Sequence, residues 1–554
     1  MIQQFLEKYQ KQMPLLLMVF AGILFIPFLG NVHLFDWDEI NFAEAAREMI
    51  LTGNYLQVQI DYQPFWEKPP LFIWMQVLSM KVFGINEFAA RLPNAFCGMI
   101  TLPLLYLIGR ELRNSMFGLF WTLAYVGSFL PHFYFHSGII DPWFNLFIVL
   151  GILLPFVPSI QNIGNWSFAM SGVFIGLAVL TKGPVALLIA CAVFGIYGLM
   201  FAYTSKTYRI LFTWIKNIAI SGSISLFVAS LWFGIEILNN GTWFVEEFVR
   251  YQIRLFSTGD AGHSGPFYYH ALVLLLGCFP ASFVALPALS GKKKVIESDT
   301  IMLILLWFVL VLFSIVKTKI VHYSSLCYFP LTYLAALQLQ HYHERNQFSE
   351  RLRKWLIPGV VLWTILFMTV PIIGLYKNEI IPLLKDEFVK ALLQADVHWN
   401  IADLFIGIFY LLLASIGLYL LHKKTTWLDG IVILFLAGIP AILLFLPITA
   451  SKIEGYTQAA PIEYYQSMKN KDVLVYPSGF KSYAHLFYSG KLPASKSKQQ
   501  YTEDELMNGA ESRPVYFVAK LKKAKEMRND TRFQEVFTKN GFSAFKVVNN
   551  SLKR

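Results

Sequence analysis

The chain has 554 residues, of which 56% are hydrophobic, 16% aromatic and 15% charged, and its formal net charge is +11. A soluble domain needs more charge to cover its surface, so this composition excludes an ordinary soluble globular protein and predicts a membrane protein. The membrane part offers no basic stripe of the kind that binds nucleic acid, so we expect the positive charge in cytoplasmic loops.

Apolar runs of about twenty residues, the length that crosses a bilayer, recur along most of the sequence. They predict an α-helical polytopic membrane protein with about thirteen transmembrane helices. The predicted spans lie near 14–31, 89–109, 116–135, 139–158, 166–181, 183–203, 210–237, 268–288, 299–316, 321–339, 355–376, 402–421 and 428–449.

The apolar stretch 71–83 is too short to cross a bilayer. It follows Pro69-Pro70, and Gly84 ends it, so it predicts an interfacial helix.

Basic residues fix the orientation of the spans. With a cytoplasmic N-terminus, the short inside loops carry Arg110 and Arg113, Lys206 and Arg209, Lys292 to Lys294, Arg345 to Lys354, and Lys423 and Lys424. Membrane proteins retain Lys and Arg on the cytoplasmic side, and the opposite topology would export nearly all of them. An odd number of spans then places the C-terminus outside.

The outside face therefore holds the long loops 32–88 and 238–267, a shorter loop at 377–401, and the region from 450 onward. In that last region, candidate strands and helices alternate as they do in a small soluble α/β domain. Its candidate strands are Val473–Tyr476, Val515–Val518 and Phe542–Val548, with a charged helix at 520–528. We expect a transmembrane domain over 1–449 and an extracytoplasmic α/β domain over 450–554.

The first outside loop begins with two adjacent acids, Asp38 and Glu39, at the start of an amphipathic helix just beyond the first span. Asp38 could simply be the N-cap of this helix, a position that Asp favours. An N-cap does not explain Glu39, or why two acids stand at the membrane boundary, where ionisable groups are usually functional.

A second motif in this loop is Glu67-Lys68-Pro69-Pro70. The prolines keep Lys68 extended and directly before the helix 71–83. A full positive charge beside a helix N-terminus is a ready site for a phosphate. The alternative is a lysine that extends to lipid headgroups.

A third acid, Asp141, begins the fourth span and is followed by Pro142, which is also an N-cap pattern. It is expected on the same membrane face and at the same depth as Asp38. Further polar residues expected at this level are Lys182, Arg250, Arg254, His263, Lys317, Lys319 and Tyr323. We interpret this collection of acids and bases at the outer ends of several spans as a catalytic site.

In these motifs the chain resembles the GT-C glycosyltransferases of the protein O-mannosyltransferase type. It is most similar to the bacterial transferases that move 4-amino-4-deoxy-L-arabinose from undecaprenyl phosphate to lipid A. The residues that carry the resemblance run through about the first 340 positions. They are Asp38-Glu39, Ala43-Glu44, Arg47-Glu48-Met49, Glu67 to Pro70, Glu87 to Pro93, Lys182-Gly-Pro184 and Lys319 to Tyr323.

The resemblance implies roles for particular residues. Asp38 would be the catalytic acid/base with Asp141 beside it, and Glu39 is the third candidate catalytic carboxylate. Lys68 would hold the lipid phosphate with Tyr323.

Lys182, Arg254 and Lys319 are further candidates for binding the lipid phosphate. Glu67 and His263 would bind one divalent metal ion, zinc-like or Mg/Mn. The donor implied is a polyprenyl-phosphate sugar, and the enzyme would work in the bacterial inner membrane with its site facing the periplasm.

The chain departs from the family pattern at Asn41 and Phe42, where Arg and Tyr are usual, which leaves the sugar and the acceptor open. Lipid A is the favoured acceptor, and a protein acceptor is the alternative within enzymes. The alternatives outside enzymes are a lipid or sugar transporter (flippase) and a membrane scaffold. Transporters usually place ionisable residues near the bilayer midplane in two related halves, a pattern that this sequence does not show.

Overall fold

The computed structural model describes residues 8–206, 208–257, 264–290, 296–493, 502–508 and 513–548. Within them, seven helices are long and apolar enough to cross a membrane, and nine spans result if each of two sharply bent helix pairs counts as one. The chain is therefore a multi-pass, mostly helical membrane protein. The seven helical segments are Glu87–Leu112, Val185–Ser205, Leu211–Asn240, Glu297–Ile315, Glu350–Leu375, Ile401–Leu420 and Trp427–Tyr456.

Helices also occupy the other predicted spans, but they are shorter or interrupted. These are Met13–Phe25, Ser115–Val126, Phe129–Phe133, Asp141–Leu153, Asn165–Lys182, Tyr269–Gly277, Ala281–Ala285 and Tyr328–Glu344. One bent pair joins Phe129–His136 to Asp141–Phe156 at 119°, and the other joins Tyr269–Gly277 to Ala281–Leu289 at 107°. Pro280 stands at the second break, where its missing N–H interrupts helical hydrogen bonding.

The first outside loop contains two helices and a two-residue hairpin. Helix Asp38–Thr52 ends at Gly53, whose φ of 71° lies in the left-handed region that glycine adopts without strain. Strands β1 (Gln59–Ile60) and β2 (Gln63–Pro64) pair antiparallel. The helix Leu71–Phe83 then has the bounds that the sequence predicts for the interfacial helix.

The C-terminal region contains a four-stranded sheet. Its strands are β3 (Leu474–Ser478), β4 (Val515–Lys520), β5 (Phe533–Lys539) and β6 (Phe542–Val547), in the order β3-β4-β6-β5. β3 and β4 are parallel, and the other two pairings are antiparallel. The accompanying helices are Ser451–Tyr456, Ala459–Ser467, Ala484–Ser489, Glu503–Met507 and Leu521–Arg528.

Three of these strands and the last helix were predicted, whereas β5 was not. β5 is an edge strand whose residues are mostly exposed, so it lacks the alternation of apolar and polar residues that marks a half-buried strand. The strand β5 forms because it pairs with β6.

The two other loops that are predicted to lie outside contain the helices Trp243–Ser257, Lys377–Ile380 and Glu387–Leu393. The C-terminal region packs directly on the first outside loop, and the two share one apolar core. Phe42 and Phe72 of the loop belong to the same cluster as Tyr465, Leu486 and Ala544. The backbone N–H of Leu34 donates to the hydroxyl of Tyr488 at 2.8 Å. The predicted boundary at 449/450 falls inside a continuous helical segment, Trp427–Tyr456.

Candidate functional site

The first turn of helix Asp38–Thr52 points its two acids to different partners. The N-cap of this helix is Trp37, with no side-chain cap, so Asp38 is not the capping residue. Glu39 is 3% exposed and binds the buried guanidinium of Arg91 at 2.8 Å. Glu39 also accepts backbone hydrogen bonds from Phe35 at 2.9 Å and from Gly138 at 2.5 Å.

These contacts make Glu39 a positioning residue, since it ties the start of the helix to the break between the two halves of the bent span. It does not line the cavity described below.

Asp141 lies at the break of this bent span, as the first residue of helix Asp141–Leu153. It is 2% exposed, and its Oδ1 binds Nζ of Lys182 at 2.5 Å. Lys182 is the last residue of its own helix, and Gly183 turns the chain there with a φ of 95°. A Cβ at Gly183 would lie 2.4 Å from the ring of Phe248, so only glycine fits.

His322 joins the two predicted catalytic acids. Its Nε2 lies 3.2 Å from Oδ2 of Asp38 and 3.9 Å from Oδ2 of Asp141. The His322 side chain is 15% exposed and the Asp38 side chain 28%. Sequence reasoning named the neighbouring Tyr323 and missed His322, although the histidine stands in the same Lys319 to Tyr323 motif.

The charges around Asp38 favour its ionised form. Burial alone would raise its pKa, but the hydrogen bond and charge of His322, with the charges of Lys68 and Lys182, lower the pKa to about 2. Asp38 is therefore a carboxylate at any physiological pH.

A cavity of about 310 Å³ opens beside these groups. Lys68, Asp141, Lys182 and Tyr323 line it together with Asn145. The rest of its wall is apolar and consists of Phe144, Pro184, Val185, Leu188, Leu312, Phe313, Val316 and Leu326. Cationic groups at one end of an apolar cavity suit a ligand with a phosphate and a hydrocarbon tail.

The cationic groups of this cavity are held by aromatic rings. Nζ of Lys182 lies 5.3 Å from the ring centre of Tyr323, and Nζ of Lys68 lies 5.6 Å from that of Tyr251. Such contacts orient an ammonium group without neutralising its charge.

Two further predicted phosphate ligands lie elsewhere. Lys319 is 5% exposed, and its ammonium donates to the carbonyls of Phe313, Ser314 and Val316 at 2.9, 2.6 and 2.6 Å. These three bonds use all its donors at the end of helix Glu297–Ile315, so we assign Lys319 a structural role. Arg254 is exposed and lies over the ring of Tyr251 at 5.1 Å.

The predicted metal pair, Glu67 and His263, stays a prediction, because one of the two residues lies outside the described part of the chain. Glu67 is half-buried, and His263 lies outside the described residues. Within those residues, no group of three or more His, Cys, Asp or Glu side chains could hold a metal ion. The described residues therefore give no support to the metal that the resemblance implied.

Comparison with known proteins supports the resemblance drawn from the sequence. Residues 67–233 match a family model described as dolichyl-phosphate-mannose-protein mannosyltransferase. An undecaprenyl phosphate-alpha-4-amino-4-deoxy-L-arabinose arabinosyl transferase of Photorhabdus laumondii is 28% identical over 329 residues, which are 58% of either chain. A transferase of the same name from Shewanella sediminis is 25% identical over 392 residues, 70% of this chain and 69% of that one.

Among solved structures, ArnT from Cupriavidus metallidurans bound to undecaprenyl phosphate superposes with a TM-score of 0.74. The alignment covers 97% of this chain and 98% of that one at 16% identity, which establishes a shared fold. The resemblance to GT-C glycosyltransferases close to the aminoarabinose transferases is thereby confirmed. The match spans somewhat more than half of the Photorhabdus relative.

Proposed function

We propose that the chain is a membrane glycosyltransferase that moves a sugar from a polyprenyl-phosphate donor to lipid A on the periplasmic face of the bacterial inner membrane. One observation carries this proposal. Asp38, Asp141, Lys182 and His322 meet beside a cavity that Lys68 also lines, although these residues are distant in sequence. The names of the similar transferases, and the undecaprenyl phosphate bound to a protein of this fold, support the choice of donor and acceptor.

The donor is proposed to bind with its phosphate between Lys68, Lys182 and Tyr323 and its polyprenyl chain along the apolar wall of the cavity. The leaving group is a phosphate, a stable anion, so it needs little protonation. The positive charges of Lys68 and Lys182 stabilise the charge that develops on its oxygen as the bond to the sugar breaks.

Asp38 is proposed to take the proton of the acceptor. In a single displacement the acceptor oxygen forms a bond to C1 and the bond from C1 to the phosphate oxygen breaks. The polyprenyl phosphate leaves with the electron pair, and the configuration at C1 inverts. A carboxylate with a low pKa suffices, because the hydroxyl proton becomes strongly acidic as the oxygen bonds to C1.

We further propose that about thirteen segments cross the membrane, with 1–449 as the transferase unit and 450–554 outside. The alternation of basic loops supports this orientation. The site then lies at the outer membrane boundary, near the tips of several spans.

The test supplies the purified protein with radiolabelled undecaprenyl-phosphate aminoarabinose and, in separate reactions, lipid A or membrane protein. Label in lipid A, lost on replacing Asp38→Asn, is the expected result. Label in protein would favour a protein glycosyltransferase, the second candidate, which the description of the matching family model supports. Label in neither, with folded protein, contradicts both.

A further inference from the structure

A second cavity, of about 530 Å³, lies where the C-terminal region meets the first outside loop. It opens at the carboxyl ends of the parallel strands β3 and β4, next to the segment 479–483 that follows β3. Asp61, from the turn between β1 and β2, lines it from the other side. Loops at the carboxyl ends of parallel strands are a usual place for ligands in α/β folds.

The wall of this cavity combines aromatic rings with groups that can form hydrogen bonds. Tyr476 and Tyr483 contribute rings, Glu503 contributes a carboxylate, and the exposed Lys481 contributes a positive charge. His485 also lines the cavity and is 6% exposed, and nothing in the described residues bonds to its Nδ1. A buried polar atom left without a partner is costly unless a ligand or water satisfies it.

Lys481 carries a positive charge that can bind an anion. Its Nζ lies 4.7 Å from the ring centre of Trp37 and 5.8 Å from that of Tyr483. Among the described residues, no carboxylate forms an ion pair with it. Its charge is therefore available to an anionic ligand in this cavity.

The cavity is joined to the catalytic helix. Trp37 immediately precedes Asp38, and its ring lies 5.6 Å from that of Tyr483. Burial raises the pKa of Asp36, and the polar groups of Ser482 and Tyr483 close to it partly oppose this shift. These contacts fix the segment 479–483 to the residues just before the proposed base.

Tyr483 also lies within electrostatic range of Glu67, the residue before Lys68. Burial first, and then the negative charges of Glu67, Asp61 and Asp36, raise the pKa of Tyr483. Tyr483 thus lines the second cavity and is near enough to Glu67 for the charge of that carboxylate to act on it.

From this placement we infer that the second cavity binds the phosphorylated saccharide headgroup of the acceptor. The headgroup sugars stack on Tyr483, and a headgroup phosphate pairs with Lys481. The acceptor then reaches Asp38 from the side of the C-terminal region, while the donor lipid occupies the apolar cavity. This inference rests on the proposed function, whose acceptor it locates.

The test measures binding of an acyl-free glucosamine disaccharide bisphosphate to the full-length protein in detergent by calorimetry. Lys481→Ala is expected to weaken binding about tenfold, as is typical for loss of a hydrogen bond to a charged group. Tyr483→Ala is expected to weaken it as well, and Lys522→Ala, an exposed lysine of helix Leu521–Arg528, serves as the matched control. Asp38→Asn should bind the disaccharide as the unmodified protein does.

Transfer assays give a second readout. In Lys481→Ala, KM for lipid A should rise about tenfold with little change in kcat. Affinity for undecaprenyl phosphate should stay unchanged, because that ligand uses the other cavity. The inference is overturned if the unmodified protein shows no saturable binding, or if Lys481→Ala binds the disaccharide with the same affinity as the unmodified protein. Binding that depends on Lys481 without any sugar transfer overturns the proposed function and leaves the binding site standing.

Discussion

His322 is the residue whose replacement tests the electrostatics of the site most directly. Its hydrogen bond and charge lead the interactions that lower the pKa of Asp38 from 3.8 to about 2 against the opposing effect of burial. That net shift corresponds to roughly 2 kcal/mol in favour of the carboxylate. In His322→Ala the burial remains while the main opposing interaction is lost, so the pKa of Asp38 should rise.

The assay is kcat/KM for sugar transfer between pH 4 and pH 8. A carboxyl group with a lowered pKa stays ionised above that pKa, so the unmodified enzyme should lose little activity down to pH 4. On the acid side, His322→Ala should lose activity at a higher pH than the unmodified enzyme, and at pH 7 its kcat/KM should fall about 10- to 100-fold.

Two variants separate this effect from a general loss of structure. His322→Gln keeps an N–H donor near Asp38 and should recover much of the activity at pH 7. His398→Ala removes an imidazole that is 93% exposed and should change nothing. Unchanged activity and an unchanged acid limb in folded His322→Ala would refute the assigned role.

Three further predictions concern helix Asp38–Thr52 and the residues around it. Asp38→Asn and Lys68→Ala should each lower transfer by about 10²–10⁴ with melting temperatures near that of the unmodified protein, and full activity in both ends the mechanism. Arg91→Ala leaves the buried Glu39 carboxylate without its cation and should cost about 3–5 kcal/mol of stability, measured by thermal unfolding and contradicted by an unchanged melting temperature. Burial and the nearby Glu44 raise the pKa of Glu48 to about 9. Between pH 4.5 and 9 the folded protein therefore binds more protons than the unfolded protein, so its stability should fall as the pH rises through this range. Glu48→Gln should remove this part of the pH dependence, and identical melting curves against pH for the two proteins would exclude it.

The amino-acid sequence by itself determined the class of the protein and the location of its site. The length and apolarity of a segment are local properties, so the helices of the spans and the interfacial helix Leu71–Phe83 were predictable. The same is true of the polar residues at the outer ends of the spans, which placed Asp38, Asp141, Lys68 and Lys182 in one region.

Only the tertiary structure decided which of these residues meet. Asp38 and His322 are separated by 284 positions, and their contact depends on how helices pack, which no local pattern records. The structure also shows that Lys319 donates to three carbonyls at the end of the preceding helix, so a lysine of the right motif has no donor left for a phosphate. Edge strand β5 likewise forms through its pairing with β6, because its exposed residues carry little hydrophobic pattern of their own.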